Sequence, residues 1–384
     1  MVTAHRARRR TAVENDQRIL RAAVWCIERH GIDGITTVGV AAAAGLSTGA
    51  LYARYEHQHD LLADVWQRES LDAVQGLVDA ALAVPRSGGG PAAVAALAAR
   101  LAEPSNALRV GAQLMAVTRR IDELADVVPG DVGSMLGEHD GDDLGVVALA
   151  IGAVLLDGVR GAVGTDWTPI IRWCGAPAPR AVTPWPPAPP FRAEPVHDPD
   201  DPVIDALLRA TRQVIARSGV ERATLQRIGR AARLTPTVVY NRFENRDALI
   251  LDLVERILRG SATAELRTMV HASPEMLAMH LGTLLSPQGQ PRRRLALELL
   301  LATMHDVRLA EVAAEVEGLS RDTAAHLLAD RYGSDARAAD VLAFGAALGY
   351  GASVLLELGG DLTTDDWRPF VERAIGAAGR VPAG

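Results

Sequence analysis

An internal repeat constrains this chain more than any other feature. Residues 46–61 read LSTGALYARYEHQHDL and residues 234–249 read LTPTVVYNRFENRDAL. Gly31, Leu46, Tyr52 and Leu61 fall on Gly219, Leu234, Tyr240 and Leu249 at a constant offset of 188. A second match follows late in each half, at an offset of 200. There Val154–Asp157 (VLLD) meets Val354–Glu357 (VLLE), and DWTP from Asp166 meets DWRP from Asp366. The same order and similar spacing predict duplication of a whole module, the second copy carrying a net twelve extra residues in its middle.

Between the copies, residues 175–202 hold ten prolines. Proline lacks a donor and fixes φ, so this stretch predicts an extended linker. The first copy predicts three compact helices. Ile19, Ala22, Ala23, Cys26 and Ile27 form the apolar face of the first, which ends near His30-Gly31. Thr36 or Thr37 can cap the second, Gly45 permits a tight turn, and Ser47 caps the third. The second copy repeats the plan with a stop at Gly219, Thr224 and Thr235 as caps, and Pro236 at a first helical position. Longer helices then start near His57 and Asn245. Both copies continue as helical segments, of which residues 146–159 and 341–358 are the most apolar. Each is expected either as a core helix or as half of a helix-helix interface. The fold class expected is all-α.

Charge separates the two units. The chain has a formal net charge of -7, and all forty of its basic side chains other than histidine are arginines. Residues 203–250 nevertheless hold nine arginines against four acids. Arg227 and Arg230 lie on the second helix of that unit, Arg233 in the turn, Arg242 beyond the third helix and Arg246 at the start of the fourth. Such grouping around a helical hairpin suits a phosphate backbone better than a merely solvated face. In the first unit the second helix carries no charge, and Arg54 stands nearly alone. Its basic counterpart is the N-terminal run containing Arg8, Arg9 and Arg10, expected as a flexible arm.

These residues carry a family resemblance. The tract GVERATLQRIGRAARLTPTVVYNRFENRDALILDLV resembles the N-terminal helix-turn-helix of TetR-family transcriptional regulators, and so does GIDGITTVGVAAAAGLSTGALYARYEHQHDLLADVW. The shared pattern runs from a glycine ending helix one, through Ala-Ala-x-Leu-Ser/Thr, to Tyr-x-x-Phe/Tyr. It covers about 50 residues in each half. The resemblance implies two tandem modules, each a three-helix head followed by a helical ligand and dimerisation domain. It makes the third helix of each head the recognition helix. Ser47, Thr48 and Gly49, with Thr235, Pro236 and Thr237, would then approach bases or phosphates. Tyr52 and Tyr240 would reach phosphate, as would Arg246, whose place Gln58 takes in the first copy, with His57 and His59 beside it. Thr37, Thr224, Arg54, Arg233 and Arg242 complete the expected DNA-facing set. Neither copy has an arginine or asparagine early in helix three, so direct base readout is modest.

The domain layout expected is a basic arm over 1–12, a head over 13–60, a regulatory domain over 61–174, a linker over 175–202, a second head over 203–250 and a second regulatory domain over 251–380. The partners expected are double-stranded DNA and an unidentified small-molecule effector, with Met276, His280, Met304 and His305 as candidate ligand contacts. Two modules in one chain imply either an intramolecular pseudodimer or a homodimer in which two chains pair like with like and carry four heads. The alternative is a helical protein-binding scaffold whose heads have degenerated. No phosphate loop, nucleophile elbow or metal-ligand spacing is present in the sequence, so neither catalysis nor a cofactor is expected. The acids beside His139 (Asp140, Asp142, Asp143) read as a solvated loop. Cys26 and Cys174 read as reduced thiols. With no signal-like segment at the start and no uninterrupted apolar run of membrane length, a cytoplasmic location is expected.

Overall fold

The computed structural model describes residues 2–159, 165–175, 201–270, 286–332, 334–359 and 364–378; its regular elements are helices, and no strand occurs among the described residues. The linker interior (176–200) and the candidate contacts Met276 and His280 lie outside the described residues. In the first module α1 (Val2–Gly34) is broken at Gly31, where φ is 75°. The backbone of residues 2–12 continues α1, whereas the basic composition predicts an irregular arm. That segment has no glycine or proline, and alanine and arginine both favour helix.

The head is completed by α2 (Thr37–Ala44) and α3 (Thr48–Tyr52). Next, α4 (Gln58–Val65) runs through a π-helical turn (Trp66–Ser70) into α5 (Leu71–Arg86). The extra residue in that turn goes with full burial of Trp66, whose indole N–H donates to Asp131 at 2.8 Å. There follow α6 (Pro91–Ala102), α7 (Asn106–Val117), α8 (Asp122–Ala125), α9 (Val128–Leu136), α10 (Gly141–Asp157) and α11 (Trp167–Cys174). Asp140 is the N-cap of α10, its carboxylate accepting from the Asp142 and Asp143 amides at 2.9 Å each. That satisfies two of the helix's orphan donors and accounts for the acidic cluster. Among the described residues no group of acids, histidines and cysteines could hold a metal.

The second module has α12 (Pro202–Ser218), α13 (Leu225–Ala232), α14 (Pro236–Tyr240) and α15 (Arg246–Val270). Its later helices are α16 (Gln290–His305), α17 (Val307–Tyr332), α18 (Asp335–Glu357) and α19 (Thr364–Ala378). The duplication does not produce two separate cores. One apolar core starts in the first head, passes through α5, α7 and α10, and continues into α18 and α19 of the second module. A smaller core joins the second head to Leu295 and Leu299 on α16 and Leu309 on α17.

The two most apolar helices meet each other. Every residue of α10 from Leu144 to Leu155 is buried, as uniform apolarity predicts, because α5, α18 and α19 surround it. Helix α18 is long and apolar enough to cross a membrane, but here it packs along α10. At the crossing a Cβ on Gly152 would stand 1.8 Å from the Ala347 carbonyl oxygen. One on Gly351 would stand 1.7 Å from the Ala148 carbonyl oxygen. Both pairs relate by an offset of 199, one residue short of the 200 of the repeat in this stretch, so the two helices exchange contacts reciprocally about a local two-fold. That reciprocity is the mark of a two-fold interface, here made within one chain.

Candidate nucleic-acid interface

Each head is fixed by local chemistry that repeats at the 188 offset. The Thr36 hydroxyl accepts from the Gly39 amide at 3.0 Å and the Thr224 hydroxyl from the Arg227 amide at 3.2 Å, capping α2 and α13. Of the two threonines that could cap α2, Thr36 does so, and half-buried Thr37 is the first helical residue. Each such cap contributes about 1 kcal/mol. Both helices end in the same closing bond: Leu46 N–H to Ala41 O and Leu234 N–H to Gly229 O, each 2.9 Å. This closure needs a left-handed residue just before the leucine. The first head uses Gly45 (φ 62°) and the second uses Arg233 (φ 57°), the one non-glycine with positive φ among the described residues.

The turn then delivers a five-residue helix, α3 or α14. Ser47 caps α3 through the Ala50 amide at 3.2 Å. Thr235 holds the equivalent position before α14, with Pro236 at its first position and no side-chain bond of its own. Leu51 and Val239 face inward and are 1% exposed, anchoring each short helix. On the outer side lie Ser47, Thr48, Thr235 and Thr237, all exposed. Tyr52 and Tyr240 project furthest, at 60% and 59% exposure. Leaving a phenol in water on a helix with an otherwise satisfied inner face wastes apolar area that packing could have used. Two equivalent tyrosines exposed alike suit a surface built to meet a partner.

The flanking cations divide into two groups. Arg54 pairs with Asp16 on α1 at 2.8 Å, and Arg242 pairs with Asp201, the N-cap of α12. Each ties the end of its short third helix to the start of its own head. Arg246 is half-buried and donates to the carbonyls of Val220 (2.8 Å), Glu221 (3.2 Å) and Ala223 (3.2 Å). It thereby staples the loop between α12 and α13 onto the start of α15. In the first head His57 sits at the N-cap of α4, its amide bonded to Asp60 at 2.8 Å. By contrast, the exposed guanidiniums of Arg230 and Arg233 meet no side-chain partner among the described residues. The α2 surface offers no such cation and exposes Val38 instead. Arg8, Arg9 and Arg10 lie on the first turns of α1.

Two short helices at a capped turn, an anchored inner face and a polar outer face form a helix-turn-helix unit. Residues 19–65 and residues 207–253 each match the model for bacterial regulatory proteins of the tetR family. The chain carries the TetR-type head twice. The two matched segments lie 188 residues apart at both ends, the offset of the repeat itself. No curated protein matches the chain.

The TetR-type heads do not stand apart from the rest of the fold. Helix one of each ends at a glycine, Gly31 or Gly219, against the other module. The His305 ring lies over Gly31, and Asp33 and Arg120 of the first module, beside Glu298 of its own module, lie over Gly219. Arg119 and Arg120 both pair with Glu298, at 2.7 and 3.2 Å, and Arg119 also donates to Ala216 O at 2.8 Å. Arg120 completes a two-pronged pair with Asp33 at 2.7 and 2.8 Å. Burial raises the Glu298 carboxyl above its usual range, against the pull of the two arginines. Of the candidate ligand contacts, His305 stands at this junction and Met304 packs beside Gly158. Sequence reasoning missed Arg119, Arg120 and Glu298. A signal existed: Leu124-Ala-Asp-Val and Leu309-Ala-Glu-Val align at an offset of 185, which sets Arg120 against His305 and Gln113 against Glu298.

Proposed function

We propose that this chain is a DNA-binding transcriptional regulator, by default a repressor, that sets both heads of one chain on one duplex as an intramolecular pseudodimer. The observation that carries the reading is the reciprocal crossing of α10 and α18, with Gly152 and Gly351 each seated on the opposite backbone. It gives within one chain the pairing that dimeric helix-turn-helix proteins obtain from two. The second head supplies most of the electrostatic attraction, through Arg230 and Arg233, and the first contributes Ser47, Thr48, Tyr52 and the basic start of α1. Because the recognition helices differ, the preferred operator is asymmetric. A small-molecule effector would act by changing the separation of the heads, which requires it to bind one arrangement better than the other.

The test is the mass of the protein in solution, alone and on duplexes selected from genomic DNA, by light scattering after size exclusion. One chain per duplex, with affinity falling steeply with salt, is the expected result. Two chains per duplex would replace the pseudodimer with a conventional homodimer. Failure to select any duplex at low salt would favour a helical scaffold with degenerate heads.

A further inference from the structure

The two modules differ in chemistry where helix one meets the helix behind it. In the first module α1 packs on α7; the matched pair in the second is α12 on α16. Ala23 and Val24 on α1 and Leu108 on α7 are buried and apolar. At the offset of 188, Thr211 and Arg212 replace Ala23 and Val24. At the offset of 185, Arg292 and Arg293 replace Ala107 and Leu108. Aliphatic positions in one copy are thus arginine positions in the other.

The carboxylates buried nearby are already committed. Glu298 holds Arg119 and Arg120, and Glu357 holds Arg294 at 2.8 Å. Arg293, 4% exposed, donates to the Ser286 carbonyl at 2.6 Å. Arg212 is different. It is half-buried, it meets no acid and no acceptor among the described residues, and the charge acting on it is the half-buried guanidinium of Arg292. Burial, and then the repulsion of Arg292, hold the Arg212 pKa below its usual value. Thr211 beside it is fully buried, its hydroxyl also without a hydrogen-bond partner among the described residues. The first turn of α16 contains no acid, so its arginines add to the positive end of the helix dipole instead of balancing it. Leaving a desolvated guanidinium unanswered costs free energy, which an anion held there recovers.

We propose that the seam between α12 and α16 is an oxyanion site with Arg212 and Arg292 as its two arms, and that its ligand is phosphate, free or as the end group of a small phosphate ester. A guanidinium presents paired N–H donors in one plane, which match two oxygens of a tetrahedral anion. One arm comes from each helix, so the bound anion bridges α12 to α16. The site belongs to the second module alone, because Val24 and Ala107 stand in those places in the first. One anion per chain follows. The site lies on helix one and α16 and not on α14, and it holds whether or not the heads bind DNA.

The experiment uses the full-length protein purified in a phosphate-free chloride buffer. It is titrated by calorimetry with inorganic phosphate and with glycerol phosphate, and melted with and without each. Phosphate should bind at one per chain, and about 10 mM should raise Tm by about 2–4 °C beyond sodium chloride of equal ionic strength. Tighter binding of glycerol phosphate would identify the ester as the ligand, tighter binding of inorganic phosphate the free ion, and either supports the site. Arg212→Val, which installs the residue of the first module, should abolish binding. Without phosphate it should melt above the unmodified protein, because the unanswered charge is gone. Arg292→Gln should weaken phosphate about tenfold. No response beyond the salt control, or an Arg212→Val protein that still binds phosphate, overturns the proposal. So does undiminished affinity in Arg292→Gln, which decides the matter if Arg212→Val does not fold. If phosphate is ignored while Arg212→Val weakens a selected duplex, Arg212 is a contact to the DNA backbone and the proposal also falls.

Discussion

Replacing Gly152 by alanine should destabilise the protein by about 2–3 kcal/mol, and the structure supplies the reasoning. The added Cβ would lie 1.8 Å from the Ala347 carbonyl oxygen, a distance that has to reach at least 3.0 Å. Backbone cannot rotate away as a flexible side chain can, so α10 and α18 must separate by roughly 1 Å at the crossing. A gap of that size forfeits up to about half of each dispersion contact along the shared face. Intrinsic helix propensity pulls the other way, since alanine is favoured over glycine by about 1 kcal/mol in a helix interior. The opposing signs make the test sharp. Urea unfolding followed by circular dichroism gives the difference directly. Gly345→Ala, on α18 with open space around its added Cβ, should be neutral or stabilising by up to about 1 kcal/mol. Gly351→Ala should resemble Gly152→Ala. The double variant should cost less than the sum, because one separation of the helices relieves both clashes. A Gly152→Ala protein that is stabilised like the Gly345 control would refute the crossing, and the pseudodimer with it.

Tyr52→Phe and Tyr240→Phe should leave the melting temperature unchanged, both hydroxyls being exposed, and each should lower affinity for a selected duplex about three- to tenfold in a fluorescence anisotropy titration. Arg233→Gly should raise stability by about 1 kcal/mol in urea unfolding, because glycine occupies φ 57° without strain, while duplex binding weakens through the lost cation. Glu298→Gln should cost about 3 kcal/mol by the same measurement, since it leaves buried Arg119 without its nearest carboxylate and Arg120 with Asp33 alone. His305 gives a pH dependence of definite sign. Its folded pKa of about 4 lies below the ordinary 6.5, so the unfolded chain binds the extra proton first. Stability from this group is complete above pH 6.5 and is lost as pH falls towards 4, by about 3 kcal/mol; in His305→Gln the fall over that window should be shallower by this amount.

Much of each head was legible in the sequence because its determinants are local. A threonine or serine three residues before the amide it caps and a glycine at a left-handed turn are read along the chain. Thr224, Ser47 and Gly45 stand where that reading puts them. The apolar face of Ile19, Ala23 and Ile27 follows from helical spacing and is buried. Arg54, Arg242 and Arg246 were legible as cations near the heads but not in their bonds to Asp16, to Asp201 and to the carbonyls of the α12–α13 loop. Those partners lie up to 41 residues away, and no periodicity carries that information.

By itself the sequence determined that the chain is helical, that it repeats a module at an offset of 188, and where each head begins, turns and presents its short third helix. These depend on capping, spacing and backbone freedom within a few residues. Only the tertiary structure decided that residues 146–159 and 341–358 serve as core helix and interface half at once. It alone set Gly152 and Gly351 against opposing carbonyls and placed Arg120 and His305 beneath the helix ends of the other module. Such pairings join residues from about one hundred to nearly three hundred positions apart, and their energy exists only when two surfaces meet in one register; a linear pattern fixes the surfaces, and packing chooses the register.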